Sequence, residues 1–148
     1  MSTTVGDLLR IKGSNVETIT ASEPILEAIR RMEKKHIGCL AVVTKAGKLS
    51  GFITERDCLW KIVAAGKSPR THLVKDAMTF LRQMRTVTPA QTVEECMVLI
   101  SGRRHRHLPV LDGDTLAGMI SIGDVVKTLL DAQQSMIDSL EKYITGTF

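Results

Sequence analysis

Thr18-Ile-Thr-Ala-Ser-Glu-Pro-Ile25 and Thr86-Val-Thr-Pro-Ala-Gln-Thr-Val93 align position for position at an offset of 68 residues, and that alignment decides the fold. Self-similarity at such a period marks a chain built from repeated supersecondary units. An amphipathic pattern follows each copy. Ile25, Ala28, Ile29 and Met32 fall at i, i+3, i+4 and i+7, and Val93, Cys96, Met97 and Ile100 repeat the spacing, so each copy carries a helix with one core-facing stripe. Thr92 and Glu95 have capping-box spacing, in which hydroxyl and carboxylate each satisfy a free N–H at a helix start.

Outward from these helices come two short apolar runs per copy, Leu40–Val43 with Leu49–Thr54, and Leu108–Leu111 with Leu116–Ile122. Gly47 and Gly113 stand in the connections, where a tight hairpin needs φ > 0, so both pairs read as hairpins. A helix is expected to begin near Asp57 and near Asp124, the first stopping at Gly66 and the second running to about Ile144. The unit is β-α-β-β-α, twice, in the α+β class. The lead-ins also match, Val5-Gly-Asp-Leu-Leu9 with Val74-Lys-Asp-Ala-Met78. By sequence the chain divides into a first unit over 5–66, a turn-rich linker over 67–73, a second unit over 74–132 and a helical extension over 133–148.

Composition limits the function classes. The chain is 43% hydrophobic and 24% charged, which predicts a folded globular protein, and no apolar run approaches the roughly 18 residues of a membrane span. The first ten residues lack the pattern of a secretory or organelle signal, so cytoplasmic residence is expected. Cys39, Cys58 and Cys96 lack C-x-x-C spacing and sit in apolar patterns, predicting reduced cysteines without a disulfide or zinc site. Cys58, although next to Asp57, is expected to be buried. Net charge +4 and the run Arg103-Arg-His-Arg-His107 raise nucleic-acid binding, but 3% aromatics leave few stacking platforms and argue against it. No P-loop, nucleophile elbow or H-E-x-x-H motif appears, and the expectation is that the chain is not an enzyme. His105 and His107 would put two imidazoles on one side of a strand, with no further ligand at a spacing that suits a metal.

Gly51-Phe-Ile-Thr-Glu-Arg-Asp57 and Gly118-Met-Ile-Ser-Ile-Gly-Asp124 share the pattern Gly-apolar-apolar-Ser/Thr-x-x-Asp, and Arg106-His-Leu-Pro-Val110 precedes the second. In register inside a βαββα repeat, these segments resemble a CBS-domain pair, with the likeness running from about Val5 to Leu130. The resemblance implies two units packed through their sheets about a pseudo-twofold with two clefts, and commonly a homodimer of such pairs. It implies a regulatory module that takes an adenosine-containing ligand, such as AMP, ADP, ATP or an NAD-type molecule, and signals to a separate protein partner. No cofactor is required; the adenine nucleotide is a regulatory ligand. The alternative is a ligand-independent dimerisation or interaction module.

The chemistry of such a ligand selects the candidate residues. A carboxylate can accept both vicinal ribose hydroxyls, and a helix starting beside it offers free N–H groups to anions, which points to Asp57 and Asp124. The same aspartates read more plainly as helix caps. Thr54 and Ser121 offer hydroxyls three residues earlier, or are solvent-facing turn residues. From the resemblance, Arg106 and His107 approach the phosphates, with Pro109 and Ile122 beside them, and the first-strand lead-ins bring Lys12, Val16, Met78 and Thr79 to the clefts. Copy one has Gly38 and Cys39 where copy two has Arg106 and His107, so its site lacks that clamp unless Arg56 supplies the charge. Beyond the repeat, Leu129, Met136, Ile137, Leu140 and Ile144 keep roughly one helix face, a candidate dimer surface.

Overall fold

The computed structural model of the chain describes residues 3–101 and 106–146. Two compact units emerge. Asn15–Arg85 forms one, and the first fourteen residues come together with the stretch from Thr86 onward to form the other. The chain opens on α1 (Val5–Lys12), started by a capping box in which Thr4 Oγ1 accepts from the Asp7 N–H and Asp7 Oδ2 from the Thr4 N–H, both at 3.1 Å.

In the unit Asn15–Arg85, β1 (Thr18–Ile19), β2 (Cys39–Val43), β3 (Leu49–Thr54) and β4 (Thr79–Phe80) form a sheet in that order. β1 pairs parallel with β2; the other pairings are antiparallel. Between β1 and β2 lies α2 (Ile25–Lys35), whose expected stripe is buried at Ile25, Ala28 and Met32. His36 ends it in the left-handed region, its N–H returning to the carbonyls of Glu33 and Met32. The helix after the hairpin departs from expectation. It opens as α3 (Glu55–Asp57) and at once widens into a π-helix over Cys58–Val63, closed by bonds such as Ala64 N–H to Leu59 C=O at 2.8 Å. The core gathers Ile19, Ile25, Met32, Leu40, Ile53 and Ile62 around Val74 and Met78 of the second lead-in.

The other unit holds α4 (Val93–Ile100), the hairpin β5 (His107–Asp112) with β6 (Thr115–Ser121), and α5 (Ile122–Thr145). The first strand expected for copy two is cut to a single parallel bridge, Val87 to Val110. The cause is Pro109. In copy one the Ala41 N–H donates to Glu17 C=O at 2.9 Å. Pro109 occupies the equivalent position without an N–H, so that ladder bond cannot form. At α4 the Thr92 hydroxyl accepts from the Glu95 N–H as expected, but Glu95 turns its carboxylate to that same hydroxyl and does not reach the Thr92 N–H. Val5, Leu8 and Leu9 of α1 complete a core with Val93, Ile100, Leu108, Ile120 and Val125.

The two units are stitched alike. In one, the N–H groups of Val5 and Gly6 donate to the carbonyls of Gln91 and Pro89, just ahead of α4. In the other, the N–H groups of Val74 and Lys75 donate to Glu23 and Ala21, just ahead of α2. Each repeat's lead-in therefore packs in the unit that holds the other repeat's hairpin. The residues 67–73 join in, Pro69 and His72 accepting from Leu26 and Ile25. Among the described residues, no helix is long and apolar enough to cross a membrane.

Candidate functional site

Each hairpin delivers a hydroxyl and a carboxylate to a helix start. Thr54 and Ser121 are the N-caps, and Asp57 and Asp124 stand three residues on, inside the first turn. The helices thus begin two residues earlier than expected, and the aspartates are the reciprocal half of a capping box. Thr54 Oγ1 accepts from the Asp57 N–H at 3.1 Å and Asp57 Oδ2 from the Thr54 N–H at 3.0 Å. The second unit repeats this at 3.2 and 2.8 Å with Ser121 and Asp124. The turn-residue alternative for Thr54 and Ser121 gives way to these caps.

The surroundings of the two carboxylates differ. Asp57 is 8% exposed. Its Oδ1 meets the Lys61 ammonium at 3.0 Å, and the Thr79 hydroxyl donates toward both oxygens at 3.3 and 3.4 Å. Lys61 also donates to Ala77 C=O at 3.1 Å. Asp124 has a side chain 25% exposed and is met by Lys12 from α1, Nζ to Oδ2 at 2.5 Å, while the same ammonium donates to Met119 C=O. The Lys12 ammonium and the Ser121 N–H both donate to Oδ2, and the Ser121 hydroxyl adds to the stabilisation of the charged carboxylate. Among the described residues Oδ1 is the oxygen open to a further donor.

Burial pushes the Asp124 carboxyl up, but the Lys12 hydrogen bond, the Ser121 N–H and the Lys12 charge outweigh it and hold the group below the ordinary carboxylate value. A depressed carboxyl contributes stability that is present above its unfolded value and lost as pH falls through the folded one. We expect Lys12→Met to lower stability by about 0.5–1 kcal/mol at pH 7, a figure held down by exposure of the pair. In urea titrations across pH, the gap between the two proteins should close below about pH 4. A gap independent of pH would show that Lys12 acts by packing alone.

The structure brings other candidates to this place. His107 is register-paired with Ser121, and the Arg106 carbonyl accepts from the Ile122 N–H at 2.9 Å, so both residues border the start of α5. Pro109 lies two pairs further along, opposite Met119, and is buried. Thr79 joins Asp57 as described. Val16 falls in the unit Asn15–Arg85 while Lys12 falls in the other, Met78 is a core residue, and the Arg56 guanidinium lies 4.2 Å over the Trp60 ring. Arg103, Arg104 and His105 lie outside the described residues, and with them the two-imidazole idea. Lys61 was missed. Its signal is the i, i+4 spacing from Asp57, which puts two side chains on one face of an α-helix. The Cys58 thiol is buried, and burial together with Asp57 pushes it up to about 11.

The motif glycines follow from packing. A Cβ on Gly51 would lie 2.2 Å from the Thr79 carbonyl oxygen, and one on Gly118 would lie 2.8 Å from Leu9 Cδ2. In both units the glycine makes room for the lead-in beside the strand.

The CBS domain family profile matches residues 3–64 and 74–131. Across 99% of its length the chain is 36% identical to the mitochondrial CBS domain-containing protein CBSX3 of Arabidopsis thaliana, of which it covers 74%. A protein with CBS domains from Burkholderia ambifaria MC40-6, named for a signal-transduction role, superposes with a TM-score of 0.82 at 40% identity, over 88% of this chain and 96% of that one. The hexameric CBS-CP12 protein from bloom-forming cyanobacteria superposes at 0.73 and 30% identity, over 85% and 71% of the two chains. Two in-register βαββα repeats, paired Gly-apolar-apolar-Ser/Thr-x-x-Asp motifs and matches over nearly the whole length agree, and the chain belongs to the CBS-domain family.

Proposed function

We propose that this chain is a sensor of an adenosine-containing ligand, AMP, ADP, ATP or an NAD-type molecule, and passes the signal to a separate protein partner while working as a homodimer in the cytoplasm. Tandem CBS chains are regulatory modules, and the reading contains no catalytic step. The supporting observation is the Asp124 site. A carboxylate with Oδ1 open stands in the first turn of α5, beside the capping Ser121 hydroxyl and the Lys12 ammonium, with His107 at the start of the adjoining strand and Arg106 just ahead of it. A ribose hydroxyl pair suits the open oxygen. Phosphate suits the ammonium, the guanidinium and the helix N-terminus. Asp57 offers the same motif but is buried, with both oxygens engaged. We therefore assign ligand binding first to Asp124.

Thermal unfolding with a panel of adenine and guanine compounds tests this. A ligand at a hundred times its dissociation constant adds about 2.7 kcal/mol, a midpoint rise of roughly 5–10 °C for a chain of this size. The expected result is a rise with an adenosine compound in the wild type and none in Asp124→Ala. No rise with any compound at millimolar concentration would replace the sensor by the ligand-independent interaction module.

A further inference from the structure

Every residue from Leu130 to Gly146 is exposed, although the helix is continuous from Ile122 to Thr145. Val125 is buried and Ile122 and Leu129 pack against the core, so the first two turns are held by their own unit. The rest is a stretch whose length is marginal for an isolated helix in water. Its apolar residues are not scattered. Leu130, Ile137 and Ile144 recur every seven residues, Val126 and Leu140 stand fourteen apart with the polar Gln133 midway between them, and Leu129, Met136 and Tyr143 again recur every seven. In heptad terms these are positions a, d and g. Met136 is 67% exposed and Ile144 81%. Together these side chains offer on the order of 800 Å² per copy, about what one partner contributes to a stable interface.

We infer that this face of α5 pairs antiparallel with α5 of a second copy, centred near Met136. The proposal rests on the homodimer reading above and names its surface and register. Direction follows from the flanks of the seam. Position e carries Lys127, Gln134 and Glu141, all polar, whereas position g carries Leu129, Met136 and Tyr143. A parallel pair sets each g against an e of the other helix and would oppose Met136 to Glu141. An antiparallel pair sets e against e and g against g. With Leu130 opposite Leu140 of the second copy, Val126 meets Ile144 and Gln133 meets Ile137. In the same register Lys127 faces Glu141, twice by symmetry, Leu129 faces Tyr143, and Met136 faces its own copy across the twofold. At the flanking e and g positions, opposite charges and apolar groups thus sort together in the antiparallel orientation only. The opposite side of the helix, at Asp124, Thr128, Asp131 and Ser135, lines a groove of about 480 Å³ with α1 and stays outside the seam.

The test uses the full chain with Met136→Cys or Leu130→Cys, a short bis-maleimide cross-linker, the wild type as control for the native cysteines, and molar mass by light scattering. The expected result is a dimeric mass with covalent dimer from the Met136 variant and background levels from the Leu130 variant. In the antiparallel register the two Leu130 positions are separated by about 15 Å along the axis. Cross-linking at Leu130 and not at Met136 would overturn the direction. A dimeric mass with neither variant cross-linking would place the interface elsewhere and leave the homodimer standing, while a monomeric mass at micromolar concentration would remove both.

Discussion

Gly51→Ala is expected to lower the unfolding free energy by about 3 kcal/mol and the thermal midpoint by roughly 6–12 °C. The added methyl meets backbone, the Thr79 carbonyl oxygen at 2.2 Å and the Phe80 Cα at 2.9 Å. No rotamer change relieves a backbone clash, so β4 must move off β3. That movement breaks the pairing of Gly51 with Phe80 and of Phe52 with Thr79, and it withdraws the Thr79 hydroxyl from Asp57. Gly118→Ala is the internal comparison. It sits at the same motif position, but the nearest atoms are the ends of the Leu9 side chain, which can turn aside. A loss of about 1 kcal/mol is expected there. Equal losses in the two variants, read from urea midpoints, would show that β4 yields as easily as a leucine side chain.

The contrast between these glycines also marks how far the repeat could be read from the sequence. The offset of 68, the helix stripes and the hairpin turns at Gly47 and Gly113 were legible because each depends on neighbours a few residues away. Both glycines take positive φ, at 86° and 63°, as the hairpins require. Departures arose where a local feature had a distant consequence. Pro109 was visible as a difference between the copies, yet its effect, removal of a ladder bond to the segment before Val87, depends on a strand pairing that the sequence does not display. The π-helix at Cys58–Val63 has no periodicity distinct enough from an α-helix over so short a span.

Electrostatics at the site was less legible. Asp57 and Asp124 were found from their motif, but the cation that meets each of them comes from a non-equivalent place. Lys61 is four residues downstream, while Thr128 holds that position in copy two and bonds the Asp124 carbonyl. Lys12 lies 112 residues from Asp124, and only the packing of α1 beside β6 brings it there. Repeats therefore conserve the carboxylate geometry within this chain while exchanging the counter-charge. The exchange makes the two sites unequal in a way that comparing motif positions would miss.

That inequality sets the second large effect. Asp57→Ala is expected to cost about 2–4 kcal/mol, against about 1 kcal/mol for Asp124→Ala. Removing the Asp57 carboxylate leaves the Thr54 N–H without its cap and the buried Thr79 hydroxyl without its acceptor. An orphaned buried hydroxyl carries its own desolvation cost of about 1–3 kcal/mol. Lys61 adds less, since its side chain is 47% exposed and returns to water when its partner is lost. Asp57→Asn keeps an oxygen for the cap and for Thr79, and should recover most of the loss. In a cycle with Lys61→Met, the coupling should stay below about 1 kcal/mol. Urea unfolding of the four proteins of the cycle and of Asp124→Ala decides the matter: a large coupling would make the ion pair the main contribution, and equal losses for Asp57→Ala and Asp124→Ala would reduce the Asp57 cluster to a helix cap. The predicted pattern separates the roles, with Asp57 holding β4 and the π-helix together while Asp124 contributes a helix cap and an exposed ion pair.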